Sequence, residues 1–294
     1  MMKYNVERQE LSNGEIMAYR TAGNADDVLL LIHGNQSSSL FFEDLMDEIK
    51  EKYKIYAIDL IGFGDSSYHR EIQSLADFSE DVNLFMEALN IPKAVVLGWS
   101  TGGGVGMELA ALHPEKVEKL ILMDSVGLKG YYIYEYDEEF KPILSKRVYK
   151  REDLAKDPVS VLPVLKAYQD RDVEFIKKVW NTLIFHLNQP EEEKYNELVE
   201  AIMKQRNLVD VVTALAQFNI TNESNGVVDG SGHVDLITCP VYIIHGEKDL
   251  IVNVDLTKED AKYFKNAKVY VLENAGHAPF MDQPEKFKDI LLSI

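Results

Sequence analysis

A short turn between a predicted strand and a predicted helix constrains the fold more than any other feature of the chain. Ala94–Leu97 is an apolar, β-rich run, Thr101–Leu112 has a helical pattern, and Gly98-Trp99-Ser100-Thr101-Gly102 joins them. A strand-to-helix turn this sharp leaves no room for side chains at the two flanking positions, which are both glycine here. The turn therefore presents the Ser100 hydroxyl beyond the end of a strand, beside a helix N-terminus.

Strands and helices alternate on both sides of this turn. Tyr4–Leu11 and Ile16–Thr21 predict a leading hairpin, with its turn at Asn13-Gly14. Further strands are predicted at Val28–Ile32, Lys54–Asp59, Val117–Met123, Val241–His245 and Lys268–Leu272, and further helices at Leu40–Lys52, Leu75–Leu89 and from Pro284. This alternation predicts an α/β fold with a mostly parallel, eight-stranded sheet flanked by helices. Ligands of such sheets bind beyond the C-terminal strand ends.

The alternation stops after Asp124 and resumes at about residue 238. The intervening sequence shows helical stretches at Val159–Gln169, Asp172–Leu187 and Glu191–Arg206. We therefore predict one core formed by residues 1–126 and 238–294, with residues 127–237 inserted as a helical cap or lid. The aromatic cluster Tyr131–Tyr136 is expected to pack the cap against the core rather than to line a pocket entrance.

Ser100 is the candidate nucleophile. A serine hydroxyl attacks well only when a base takes its proton and the group stands clear of the backbone, as it does on this turn. Two converging donors are needed for the oxyanion that forms. The backbone N–H of Thr101 is one candidate, and Asn35, which follows His33-Gly34 at the end of another strand, is the second.

The candidate base and acid also follow predicted strands. His277 comes after Lys268–Leu272 and would carry the serine proton, while Asp249 comes after Val241–His245 and would orient His277. Asp124 also ends a strand and is the rival for the acid, although we favour Asp249. Asp59 leads into a glycine-rich segment that we interpret as a structural turn.

The sequence indicates no metal and no cofactor. The seven histidines show no His-x-x-x-His or Cys/His ligand spacing. Gly103, Gly104 and Gly106 could suggest a phosphate-binding loop, but no Gly-Lys-Ser/Thr follows them.

The excess of acidic residues limits the classes of partner that the protein can bind. The net charge of −18 disfavours nucleic acid and anionic membranes as partners. The first ten residues lack the apolar stretch of a secretory signal, and Cys239 is the single cysteine, so we expect a cytoplasmic protein. The expected partner is a small-molecule ester substrate, and the sequence leaves a homodimer open.

Taken together, these motifs resemble the α/β-hydrolase superfamily over essentially the whole chain. The matching segments are His33-Gly34, Asp59-Leu60-Ile61-Gly62-Phe63-Gly64-Asp65-Ser66, Gly98-Trp99-Ser100-Thr101-Gly102-Gly103, His245-Gly246-Glu247-Lys248-Asp249 and Gly276-His277. The insertion after Asp124 lies where family members carry a helical cap that covers the active site. A serine at position 100 argues against the haloalkane dehalogenases and soluble epoxide hydrolases of this superfamily, which have aspartate there.

The resemblance implies a carboxylesterase-like serine hydrolase that acts without a cofactor. We expect it to cleave an ester of a small or medium acyl group of mixed polarity through an acyl-enzyme. The alternatives are a C–C bond hydrolase of ring-cleavage products, an enzyme similar to intracellular polyhydroxybutyrate depolymerases, and a slow-turnover ligand sensor. No arginine is clearly placed to hold the carboxylate of a ring-cleavage product.

Overall fold

A computed structural model describes residues 3–294, so the first two residues of the predicted core lie outside the described residues. The strands are β1 (Glu7–Glu10), β2 (Ile16–Ala22), β3 (Val28–Ile32), β4 (Lys54–Ile58), β5 (Ala94–Trp99), β6 (Val117–Met123), β7 (Tyr134–Tyr136), β8 (Pro142–Arg147), β9 (Val241–Gly246) and β10 (Ala267–Leu272). The α-helices are α1 (Glu43–Ile49), α2 (Leu75–Ala88), α3 (Thr101–Leu112), α4 (Arg151–Leu154), α5 (Leu162–Asp170), α6 (Val173–Leu183), α7 (Glu192–Ile202), α8 (Leu208–Gln217), α9 (Val254–Asp260), α10 (Pro279–Asp282) and α11 (Pro284–Ser293).

Eight strands form the main sheet, in the order β1-β2-β4-β3-β5-β6-β9-β10. Strand β2 pairs antiparallel with β1 and β4, and the other pairs in this sheet are parallel. The predicted fold class, a mostly parallel eight-stranded sheet flanked by helices, is therefore confirmed. Because β3, β5, β6 and β9 are adjacent and parallel, the loops that leave their C-terminal ends meet at one edge of the sheet.

The central strands are apolar because helices cover both faces of the sheet. In β3, Leu29 and Leu31 lie in one apolar cluster, whereas Leu30 and Ile32 lie in the other. Residues of α2 and α3 share the cluster of Leu30, and residues of α1, α11 and the inserted segment share that of Leu29. The inserted segment also contributes to the cluster of Leu30, for example through Val211 and Phe218, so it packs against both clusters of the core.

The sequence-based boundaries are close, with three differences. The stretch predicted as one helix at Leu40–Lys52 is a 3-10 turn (Ser39–Phe42) followed by α1. Helices α4, α8, α9 and α10 were not predicted. Between β6 and β9 the chain also forms a small antiparallel sheet, β7-β8, whose residues are largely exposed and so carry no buried-strand pattern.

Within residues 3–294, none of the helices combines the length and the apolar character needed to cross a bilayer.

Candidate active site

Ser100 lies on a strained turn between β5 and α3. Its φ is 55°, and its backbone N–H donates to the carbonyl of Met123 on the neighbouring strand (3.0 Å). A Cβ on Gly98 would lie 2.2 Å from the Gly102 carbonyl oxygen, and a Cβ on Gly102 would lie 2.2 Å from the Ile32 oxygen. Both glycines are therefore required by close backbone approach, which is the reason the sequence suggested for them.

The loop after β3 lies directly against this turn. A Cβ on Gly34 would be 2.9 Å from the Ser100 Cβ. The His33 side chain is fully buried, its Nε2 accepts from the Leu60 N–H (3.0 Å), and its Nδ1 donates to the Gly34 carbonyl (2.7 Å). Burial lowers the pKa of His33. The neutral imidazole thus holds the loop in place and performs no proton transfer itself.

Asp59 also builds this loop region. Its carboxylate accepts from the backbone N–H groups of Ser39 (2.7 Å) and Asp65 (2.9 Å), and its carbonyl accepts from the Ser66 hydroxyl. This agrees with the interpretation of the following glycine-rich segment as a structural turn.

The two oxyanion candidates flank Ser100. Thr101 is the first residue of α3, so its N–H belongs to the first-turn donors that have no acceptor within the helix. Asn35 lies on the loop after β3, and both residues line the same cavity as Ser100. The positive end of the α3 dipole favours negative charge at this point.

His277 and Asp249 are joined by a direct hydrogen bond. His277 Nδ1 lies 2.8 Å from Asp249 Oδ2, and both side chains are almost completely buried. Asp249 Oδ1 accepts from the N–H groups of Ile251 (2.7 Å) and Val252 (3.1 Å). Burial alone would raise the pKa of Asp249, but His277 and these donors hold it below its ordinary value. The carboxylate therefore stays charged and leaves His277 Nε2 to exchange a proton.

Asp124, the rival acid, lies in the same buried cluster. Its Oδ1 accepts from the Gly246 N–H (2.9 Å), whereas Oδ2 is buried and no donor among residues 3–294 reaches it. Burial and the neighbouring Asp249 charge raise the pKa of Asp124 well above its ordinary value. Burial beside a charged carboxylate therefore favours the protonated form of Asp124.

Asp124, Asp249 and His245 could in principle hold a cation, because one ligand atom from each lies within 4.8 Å of the others. Their existing bonds do not favour this. His245 Nε2 donates to the Val252 carbonyl (3.0 Å), its Nδ1 accepts from the Thr257 hydroxyl (3.1 Å), and Asp249 Oδ2 is bonded to His277. A cation would have to displace these bonds, so the donor set does not fit a metal.

A cavity of about 210 Å³ opens beside Ser100 and His277. The inserted segment supplies nine of the nineteen lining residues, including Val179, Trp180, Leu183, Ile184, Val212 and Leu215. None of the described residues that line it is Lys, Arg, Asp or Glu. The polar part of this lining consists of uncharged side chains such as Asn35, Gln36 and Ser160 together with His277.

The aromatic cluster after β6 is divided between two environments. Tyr131 and Ile133 line the cavity, whereas Tyr132 lies beneath the Arg147 guanidinium, 3.7 Å from its ring centre. The expectation that the whole cluster packs the insertion against the core is therefore wrong for Tyr131, which is 39% exposed. Sequence alone could not separate these positions because consecutive residues in an irregular segment have no fixed period.

Two supporting residues were not predicted from the sequence. Trp99, which precedes Ser100, donates from Nε1 to the His277 carbonyl (2.7 Å). Gln205, in the inserted segment, donates to the Asn35 side chain (2.9 Å). No motif marks either contact, since each joins positions that are more than 160 residues apart.

Comparison with known proteins supports the same fold and a hydrolase activity. The chain is 27% identical over 260 residues to the pimeloyl-[acyl-carrier protein] methyl ester esterase of Neisseria meningitidis serogroup C, covering 87% of this chain and 89% of that protein. It is 24% identical over 299 residues to the 2-hydroxy-6-oxo-6-(2'-aminophenyl)hexa-2,4-dienoic acid hydrolase of Metapseudomonas resinovorans, covering 98% and 90%.

Solved structures agree at the level of the fold. An esterase from Exiguobacterium antarcticum superposes with a TM-score of 0.74 at 18% identity, covering 97% of each chain, which shows a shared fold. The model of the alpha/beta hydrolase fold family matches residues 27–284. The relatives support hydrolase activity, and the extent of the match shows that this chain belongs to the alpha/beta hydrolase fold family.

Proposed function

We propose that this chain is a serine esterase that hydrolyses an uncharged carboxylic ester through an acyl-enzyme on Ser100. One observation carries the proposal: His277, which is hydrogen-bonded to Asp249, lines the same cavity as Ser100 on its strained turn. Nucleophile, base and orienting acid come from three separate strand ends, and this convergence is the requirement for nucleophilic catalysis by serine.

The reaction follows from these positions. Ser100 Oγ attacks the ester carbonyl carbon while His277 Nε2 takes the hydroxyl proton. The N–H groups of Thr101 and Asn35 would stabilise the oxyanion. His277 then gives its proton to the departing alcohol oxygen as the C–O bond breaks. Water, deprotonated by His277, attacks the acyl-enzyme and releases the acid, and Ser100 regains its proton.

The charge of Asp249 supports this cycle. When His277 takes the serine proton it becomes an imidazolium, and the buried carboxylate beside it stabilises that charge. Because burial and the pairing with His277 are both present before substrate binds, the groups need not reorganise during the reaction.

The cavity supports a neutral, apolar acyl group. A substrate carboxylate inside this wall would be desolvated without a cation to pair with it, which is unfavourable. For this reason we favour ester hydrolysis over C–C hydrolysis of a dienoic acid, the reaction named for the relative from Metapseudomonas resinovorans. We further propose that residues 127–237 act as the cap that selects the acyl group.

The test is hydrolysis of p-nitrophenyl esters with acyl chains of two to ten carbons, together with a ring-cleavage dienoic acid. We expect turnover of the esters, no turnover of the acid, and loss of ester turnover in Ser100→Ala. Ser293→Ala, which changes an exposed serine of α11, serves as the matched control and should behave as the unaltered enzyme. Faster turnover of the dienoic acid than of every ester would contradict the proposal.

A further inference from the structure

Gln205 connects the inserted segment to the loop that carries Asn35. It lies between α7 and α8 and is 5% exposed. Its Nε2 donates to Asn35 Oδ1 (2.9 Å) and to Asn207 Oδ1 (3.1 Å). Both protons of the side-chain amide are thus used in a buried site, where losing a partner costs more than it does in water.

The bond from Gln205 acts on a loop whose backbone is already constrained. Asn35 Oδ1 also accepts from the Gln36 N–H (3.0 Å), and Gln36 has a φ of 56°, which is unfavourable for a residue with a Cβ. Gly34 precedes them and lies against Ser100. The orientation of the Asn35 side chain is therefore coupled to the backbone of the loop beside the nucleophile.

Gln205 itself is held by its neighbours in sequence. Asn207 Nδ2 donates to the Ile61 carbonyl (2.7 Å), and the Arg206 guanidinium donates to the carbonyls of Gly64 (3.3 Å) and Ser66. The segment around Gln205 is therefore fixed to the core by three hydrogen bonds to backbone carbonyls. A group mounted on such a fixed segment can hold Asn35 with little loss of its own freedom.

We propose that Gln205 is a positioning residue that sets the direction of the Asn35 backbone N–H for the oxyanion. The inference rests on the proposed function, because it needs a tetrahedral intermediate on Ser100. It also gives the inserted segment a role beyond lining the cavity, since this segment then orients a residue of the oxyanion site. Oxyanion donors act in the transition state, so their misalignment lowers kcat rather than raising KM.

The test compares Gln205→Met, which keeps the side-chain size but removes the donor, with Lys204→Ala. Lys204 is the adjacent residue, pairs with Asp65 at the surface (3.0 Å) and serves as the matched control. On a p-nitrophenyl ester we expect Gln205→Met to lower kcat by roughly tenfold to a hundredfold, with KM changed by less than about threefold. Lys204→Ala should retain the kcat of the unaltered enzyme.

A second readout separates positioning from a general loss of structure. The same variants are assayed on a thionoester, whose sulfur binds poorly to N–H donors arranged for oxygen. If Gln205 positions a donor, Gln205→Met lowers ester turnover more than thionoester turnover. The rate on the ester divided by the rate on the thionoester is then smaller than in the unaltered enzyme. Equal loss on both substrates would overturn the inference and indicate a structural role.

The outcomes also separate this inference from the proposed function. If Ser100→Ala is inactive but Gln205→Met keeps the kcat of the unaltered enzyme, the positioning role is wrong and the esterase proposal stands. If Ser100→Ala remains active, the proposed function is wrong. Should Gln205→Met fail to fold, Gln205→Asn, whose shorter amide cannot span the same distance, is tested with the same two substrates.

Discussion

The indole N–H of Trp99 donates to the backbone carbonyl of His277 across 2.7 Å, and their rings lie 5.9 Å apart. The residue next to the candidate nucleophile thus fixes the main chain of the candidate base. Trp99 is buried among Phe41, Phe42 and Phe280, so its own position is set by the core. The distance between Ser100 and His277 is in this way determined by side-chain packing as well as by the sheet.

Replacing Trp99 with phenylalanine tests this relationship. Trp99→Phe keeps an aromatic ring but leaves the buried His277 carbonyl without its donor, which should cost about 1–3 kcal/mol of unfolding free energy. We also expect kcat to fall several-fold because the imidazole is less well placed. Urea denaturation and ester hydrolysis measure the two effects. A Trp99→Phe enzyme with unchanged kcat would refute the positioning role.

The contacts of Trp99 show where sequence-based prediction stops. The eight strands of the main sheet and the positions of Ser100, Asp249 and His277 at strand ends could be predicted, because apolar runs mark buried strands and parallel strands end at one edge. The partners of Trp99 and Gln205 could not, since nothing local in the sequence encodes a contact between distant segments. For the same reason, the sequence could not show that Tyr131 lines the cavity and Tyr132 does not.

The two buried aspartates predict different responses to the same substitution. Asp249→Asn removes the charge that stabilises the His277 imidazolium and should lower kcat by roughly three to four orders of magnitude. Asp124→Asn should keep kcat within about tenfold, because an amide can replace a protonated carboxyl: its oxygen accepts from Gly246 and its NH₂ donates towards Asp249. The measurement is kcat for one ester at neutral pH. If Asp124→Asn is as damaging as Asp249→Asn, the assignment of the acid is wrong.

The turn that carries Ser100 predicts a contrast between two glycines. Gly98→Ala would place a Cβ 2.2 Å from a backbone oxygen that cannot move away, so we expect a loss of more than about 3 kcal/mol or no folded protein. Gly106→Ala, in α3, meets only side-chain atoms, with Leu120 Cδ1 nearest at 3.0 Å. It gains helix propensity and should stay within about 1 kcal/mol of the unaltered protein. Thermal unfolding of both variants tests this contrast. Similar stabilities of Gly98→Ala and Gly106→Ala would contradict the geometry of the turn.

Asp260 predicts a pH dependence of stability. Burial raises the pKa of Asp260 to about 6, although its carboxylate accepts from the Leu128 N–H (2.9 Å) and lies near Lys129. Between pH 4 and 6 the folded state binds more protons than the unfolded state, so Asp260 makes the protein less stable as pH rises through this range.

Asp260→Asn should remove this effect, since its amide oxygen can still accept from Leu128. We expect the variant to match the unaltered protein near pH 4 and to be more stable by about 1–2 kcal/mol above pH 6. Asp255→Asn changes an exposed aspartate of the same helix and is the control. Denaturation at a series of pH values measures the unfolding free energy of each protein. A constant difference in this free energy between Asp260→Asn and the unaltered protein from pH 4 to 8 would show that Asp260 does not titrate in this range.

The acyl-enzyme on Ser100 is the central claim and can be observed directly. The enzyme is mixed with excess p-nitrophenyl ester, quenched in acid within milliseconds, digested and analysed by mass spectrometry. We predict an added acyl group on the peptide that contains Ser100, a stoichiometric burst of p-nitrophenol, and neither signal in Ser100→Ala. Ester turnover with the acyl group on another residue, or turnover that persists in Ser100→Ala, would contradict the account.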